Sequence, residues 1–454
     1  MRFVKKAAAT LAPMRVVAAL PLLLLGGVIV FVTFNVVAAS GSDPDPDGTS
    51  ELQAGQLFEE GRGIFRFDTF GDEAFWGGQL RLHDAIKGEG LGGVGPGVSP
   101  NTALAVGLKV DANALPQGVK DALTAGEVDL DDPATTLTLL KLDAVVGLKG
   151  FFGADDSLSS VGITCAFCHS TVDDSFAPGI GRRLDGWAAQ DLNVGAIVSL
   201  APNLKPLTDL LQVDEATVRT VLASWGPGKY DAILNHDGKA FRPDGKSAAT
   251  RIPPAFGLAG HNLATWGAGW GTVTYWNAYV ANTQMMGIGT FYDPRLNDPV
   301  KYPIAARTGR WNIRNDPDLI TSKLGPLHFY QLGLEPPEPP RGSFNRGAAK
   351  RGEAIFNGKG TCANCHVEPL TAEPGYNAHK PAEICIDDFQ ANRSPDNAYV
   401  TAPLNAIFTK SKRGFYHDGR FPTLDAVVEH YNNCFGLELT AQEKADLVEF
   451  LKSR

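Results

Sequence analysis

At 454 residues the chain is long enough for two or three domains. Its net charge of −9 supplies no basic surface for nucleic acid, so no nucleic-acid partner is expected. With 50 glycines and 30 prolines, much of the chain should be loop.

Arg2, Lys5, Lys6 and Arg15 precede or adjoin an apolar run from Val16 to Ala39, broken only by Pro21, Gly26, Gly27, Thr33 and Asn35. The run approaches the ~20 residues that span a bilayer. Positive charge ahead of it keeps the N-terminus in the cytoplasm and places the body on the far side. Val37-Ala38-Ala39 also offers a cleavage site. Residues 1–39 therefore read as a signal-anchor or a signal peptide. Either way the chain is exported, and the expected location is the periplasm, tethered to the inner membrane where the segment is retained. Residues 40–55, rich in Ser, Gly, Asp and Pro, read as a flexible tether.

From Leu57 to Ile86, recurring apolar and aromatic residues predict short helices; His83 lies among them as a surface residue or a remote metal-ligand candidate. Gly88 to Gly97 reads as loop. The run Thr135 to Leu142 mixes β-branched and apolar residues and fits either strand or helix.

It leads into Cys165-Ala166-Phe167-Cys168-His169, a C-x-x-C-H sequence repeated at Cys362-Ala363-Asn364-Cys365-His366. Two thiols at that spacing can add to the two vinyl groups on one edge of a porphyrin, and the histidine that follows is carried under the ring to bind iron. Two c-type haems are therefore expected. They are held by Cys165, Cys168, Cys362 and Cys365, with His169 and His366 as iron ligands. The alternative is a pair of redox or zinc dithiols, though the first motif has no further cysteine nearby to complete a zinc site. The remaining cysteines, Cys385 and Cys434, are expected to pair in an oxidising compartment.

Beyond His169, Pro178 to Trp187 reads as loop, with Arg182 and Arg183 either facing haem carboxylates or solvated. Asp214 to Trp225 predicts an amphipathic helix with Val218, Val221 and Leu222 inward. Pro253 to Gly289 is dense in Trp and Tyr and fits either a core or a pocket; His261 and Met285 within it are possible sixth ligands of the first haem. Residues 331–345 read as a proline-rich linker, which makes 56–330 the first haem domain and 346–454 the second. Asn345 to Phe356 predicts a helix with Ala349, Ala354, Ile355 and Phe356 toward the core. Thr440 to Glu443 is a capping box opening a last helix whose apolar face is Leu447, Val448, Phe450 and Leu451. The expected fold is mainly α, with two cytochrome c-like haem domains and long loops.

Residues 346 to 452, with Gly414-Phe-Tyr-His-Asp-Gly-Arg420 followed by Thr423-Leu-Asp-Ala-Val-Val-Glu-His-Tyr431, resemble the C-terminal haem domain of bacterial di-haem cytochrome c peroxidases. In that family a methionine at the position of Tyr431 ligates the electron-accepting haem. The related enzyme that matures tryptophan tryptophylquinone has a tyrosine there. The resemblance implies Tyr431 as sixth ligand, with His417 and His430 as rivals; more distant di-haem rubber oxygenases use two histidines on one haem.

The first half is similar through Pro178 to Gly181 and through Ile252 to Met285. There the family's distal histidine falls near Arg182 and its catalytic glutamate near Gln284, which makes these two the catalytic candidates. An amide cannot take a proton as a carboxylate does. The resemblance implies an oxidoreductase passing electrons through two haems, with peroxidase-like chemistry at the first. It would be supplied by a small redox protein or a membrane donor. Alternatives are a pure electron relay or an oxygenase acting on an organic substrate.

Overall fold

The computed structural model describes residues 49–454. Residues 1–39 and most of the 40–55 stretch lie outside the described residues. Among the described residues no helix is long and apolar enough to cross a membrane.

Helix α1 (Thr49–Phe67) buries Ile64 and Phe65, and its Phe58 meets Tyr330 edge-on at 4.9 Å. Gly61 makes this crossing possible. A Cβ there would lie 2.0 Å from the Pro326 carbonyl oxygen, so only glycine lets the two segments approach. The stretch from Thr135 to Leu142 resolves as helix α2 (Pro133–Lys141). Asp132 caps it by accepting from the Ala134 N–H, and Pro133 pre-sets the first turn. These start signals outweigh the β-branched content.

Strands β1 (Leu148–Phe152) and β2 (Leu158–Ile163) form an antiparallel hairpin, with Leu148 opposite Ile163. The hairpin delivers the chain into α3 (Ala166–His169), a single turn holding most of the first C-x-x-C-H motif. The Thr164 N–H donates to the Gly147 carbonyl, tying the motif to the base of the hairpin. Strands β3 (Ser170–Val172) and β4 (Arg183–Asp185) then pair antiparallel. Helix α4 (Glu215–Trp225) forms as expected. Asp214 caps it, and Val218, Val221, Leu222 and Trp225 are buried. The two-residue strands β5 (Lys229–Tyr230) and β6 (Thr250–Arg251) pair antiparallel and fix the position of Arg251.

Helix α5 (Val273–Thr283) carries much of the aromatic segment. Tyr279 is fully enclosed and stacks on Trp276 at 4.9 Å, with Trp270, Phe291 and Tyr302 around it. Core packing is thus one use of these aromatics. Helix α6 (Leu324–Leu332) contributes Tyr330, whose hydroxyl donates to Asp185 at 2.6 Å; Arg66 pairs with the same carboxylate.

The C-terminal part is built on α7 (Arg346–Asn357), α8 (Leu424–Phe435) and α9 (Ala441–Lys452). The capping box is present: the Thr440 hydroxyl accepts from the Glu443 N–H, and the Glu443 carboxylate accepts from the Thr440 N–H. Leu447, Val448, Phe450 and Leu451 are buried, as expected. On α7 the buried residues are Ala349, Gly352 and Phe356, and Ala354 faces solvent. The reason is the helix crossing. Gly352 sits against α9 so closely that a Cβ would fall 2.0 Å from the Asp446 carbonyl oxygen, which turns Ala354 outward. Gly352→Val should therefore destabilise the protein by about 1–3 kcal/mol through overpacking. A lowered urea midpoint would show it, whereas an unchanged midpoint would mean the crossing relaxes freely.

Residues Glu51–Arg454 form one compact unit. Charged groups from the second half reach into the first. Arg393, enclosed on all sides, pairs with Asp231 at 2.8 Å and Asp237 at 2.7 Å. Arg242 pairs with Asp418 at 2.6 Å and Asp387 at 3.1 Å. Cys385 and Cys434 are joined by a disulfide.

Candidate functional site

Each C-x-x-C-H motif opens onto its own cavity. The first, about 230 Å³, is lined by Cys165, Cys168 and His169; the second, about 200 Å³, by Cys362, Cys365 and His366. Both exceed the roughly 150 Å³ apolar cavity that accepts benzene. They are therefore too large to be packing defects and have room for an extended apolar group.

The histidines decide what such a group offers. His169 donates from Nδ1 to the Pro253 carbonyl at 3.0 Å, and His366 donates from Nδ1 to the Thr371 carbonyl at 2.8 Å. A carbonyl only accepts, so Nδ1 carries the proton in both rings. The Nε2 lone pair is then left available in a ring that lines the cavity. This is how metal-bound histidines are fixed: the second nitrogen is held by a backbone carbonyl. Burial pushes both imidazoles down to about 4, so both are neutral at neutral pH, as an iron ligand must be.

The thiols point the same way. Burial raises Cys165 and Cys168 to about 12 and Cys362 to about 11. Reactive dithiols sit in electropositive surroundings that lower these values, and none of these three does. Cys365, Glu373 and His379 have ligand atoms within 4.8 Å of one another. That set can hold a metal only while Cys365 remains a thiol, and His379 already bonds Glu373 at 2.6 Å.

The geometry sorts the other candidates. Tyr431 and His417 both line the second cavity. The Tyr416 hydroxyl donates to that of Tyr431. His417 is buried, stacks on Tyr399 at 5.1 Å, and is pushed down to about 4 by burial. His430 is turned aside, donating from Nε2 to the Ile384 carbonyl at 2.9 Å, and is absent from the lining.

In the first cavity, Gln284, Met285 and His261 line the wall. The Gln284 amide donates to the Ala232 carbonyl at 3.2 Å. Among the described residues no Asp or Glu lines either cavity. Arg182 is 68% exposed and pairs with Asp173 at 3.4 Å, and Arg183 is buried against Asp111 at 3.1 Å; neither lines a cavity. His83 likewise lies outside both linings, 3.3 Å from Asp84.

Sequence reasoning missed the wall between the cavities. Arg251, Trp266 and Lys410 line both. Trp266 is pinned by an Nε1–H donated to the Arg251 carbonyl at 2.9 Å, and the Arg251 N–H donates to the His417 carbonyl at 2.7 Å. Several non-glycine residues with left-handed backbone line the cavities or adjoin their walls, among them Thr265 (φ 80°) before Trp266, Met286 (φ 66°) after Met285, and Tyr416 (φ 71°) before His417. Such conformations cost about 1–3 kcal/mol each and persist only where the surroundings impose them. An unusual density of Trp and Tyr was the one sequence signal near this wall.

Among solved structures, the chain resembles in part Kuenenia stuttgartiensis hydrazine synthase pressurised with 20 bar xenon. The match has 16% identity and a TM-score of 0.30, and covers 47% of this chain and 75% of that one. It also resembles in part a MauG-like protein associated with microbial copper homeostasis, at 20% identity and a TM-score of 0.32, over 51% of this chain and 78% of that one. No family model and no curated protein matches the sequence.

Proposed function

We propose that the chain is an exported di-haem c-type cytochrome oxidoreductase, with peroxidase-like chemistry at the first haem. The observation that carries this reading is the repeated arrangement of a cysteine pair, an apolar cavity and a histidine whose Nδ1 is held by a backbone carbonyl. Cys165, Cys168 and His169 would hold one haem; Cys362, Cys365 and His366 would hold the other. When bound, the haems supply one-electron chemistry at iron. The chain's own residues exclude water with apolar walls and keep both imidazoles neutral. Trp266 stands in the wall common to the two cavities and gives electrons a π-system to cross.

The surroundings of the first cavity bear on peroxide chemistry. Gln284 would present a neutral amide to a haem in the first cavity, and an amide cannot remove a proton. His261, lining the same cavity with its imidazole pushed below the ordinary range by burial, is a group there that can. One observation favours a pure relay instead. The first cavity has no carboxylate in its lining and holds both Met285 and His261, either of which could cap an iron.

Low-temperature EPR of the purified protein, oxidised and half reduced, separates the two. A high-spin ferric signal that shifts on peroxide addition is expected. Two low-spin signals indifferent to peroxide in both states would overturn the peroxidase reading in favour of the relay.

A further inference from the structure

Two cations stand in the wall between the cavities without an anion to answer them. Arg251 is 3% exposed; one terminal nitrogen donates to the Gln190 amide oxygen at 3.2 Å, and its Nε–H has no partner. Lys410 donates from Nζ to the Pro403 carbonyl at 2.7 Å. Among the described residues neither forms an ion pair, and the charges that act on each are cations: Arg413 on Arg251, and Arg251 on Lys410. Burial pushes the Lys410 ammonium down to about 8 and the Arg251 guanidinium down to about 10. Other buried arginines in this protein are matched by carboxylates: Arg393 has two, and Arg183 has Asp111.

An uncompensated buried charge is costly, and here the buried Arg251 shares the wall with a second, half-buried cation, Lys410. The anion that offsets them must come from what fills the cavities, since no carboxylate lines either one. A haem carries two propionate carboxylates on one edge, and both cations line both cavities.

We propose that Arg251 and Lys410 form one shared seat for propionates of both haems, so that a single pair of charges holds and tunes two cofactors; this rests on the di-haem reading above. Arg251 offers a planar fork to a carboxylate, and Lys410 offers a point charge that can face either side. A cation near a haem favours its reduced state, because reduction adds negative charge. Removing one shared cation must then lower both potentials together.

The test is a redox titration of the full holoprotein, followed by absorbance and EPR, comparing wild type with Lys410→Met. Both waves should move to lower potential, the reduced state losing roughly tenfold in relative stability, or about 59 mV for one electron. Lys412→Met, two residues on, removes an exposed cation paired with Asp191 and should move neither wave. If Lys410→Met fails to accumulate as holoprotein, Arg251→Gln carries the same readout. A shift in only one wave, or in neither, would overturn the shared seat while leaving the di-haem reading intact. A wild-type chain that purifies without covalent haem would overturn that reading and the seat with it.

Discussion

Arg393→Met should destabilise the protein by about 3–5 kcal/mol, the range for removing one partner of a buried ion pair. Arg393 is enclosed on all sides and answers Asp231 and Asp237, which are buried with it. Methionine keeps much of the volume, so the loss reports charge rather than a cavity. Asp231 carries the clearest consequence. Burial holds its carboxyl above the ordinary range, and Arg393 partly offsets that. Without the arginine its folded value rises further.

A carboxyl whose folded value is raised has its stabilising effect at low pH and loses it as pH rises through that value. The deficit of the variant should therefore be smallest near pH 4 and grow toward neutrality. Urea midpoints across that range check both size and sign. A deficit below 1 kcal/mol at pH 7, or one that grows on acidification, would mean the triad is not the tie between the two halves that its geometry describes.

Cys165→Ala with Cys168→Ala should reduce covalent haem from two per chain to one, and Cys362→Ala with Cys365→Ala should do the same from the other side. The motifs line separate cavities, so neither loss should empty the other site. A pyridine haemochrome assay on acid-extracted protein counts what stays attached. Two haems remaining in either variant would contradict the covalent assignment. None remaining in a folded variant would mean the two sites load only together.

The parts of the site that were legible in the sequence are local. A C-x-x-C-H motif places three groups within five residues, and a capping box announces its own helix, so both can be recognised without the fold. The pairing of Cys385 with Cys434 was legible because the motifs left only two cysteines over. Helix α4 was legible from Asp214 and its apolar spacing.

What escaped is non-local. Arg251 and Lys410 come from separate segments with nothing in their neighbourhoods to mark them, and Trp266 was legible only as part of the aromatic-rich stretch that fits either a core or a pocket. Their meaning lies in facing two cavities at once. Arg182 and Arg183 misdirected attention for the converse reason. They sit close to the first motif in sequence, yet Asp173 and Asp111 claim them. Thr135 to Leu142 was ambiguous by composition, and only Asp132 and Pro133 at its start settle it as helix. On α7 the inward face was misjudged at Ala354 because a glycine, Gly352, makes the closest contact.

The central claim is that two haems are bound covalently, one at each motif. Intact-mass spectrometry of the purified protein under denaturing conditions tests it most directly, since only covalent groups survive. The account predicts the polypeptide mass plus two haems. A mass with no haem, or one that matches bare or disulfide-linked cysteines at both motifs, would contradict it and return the dithiol reading to the front.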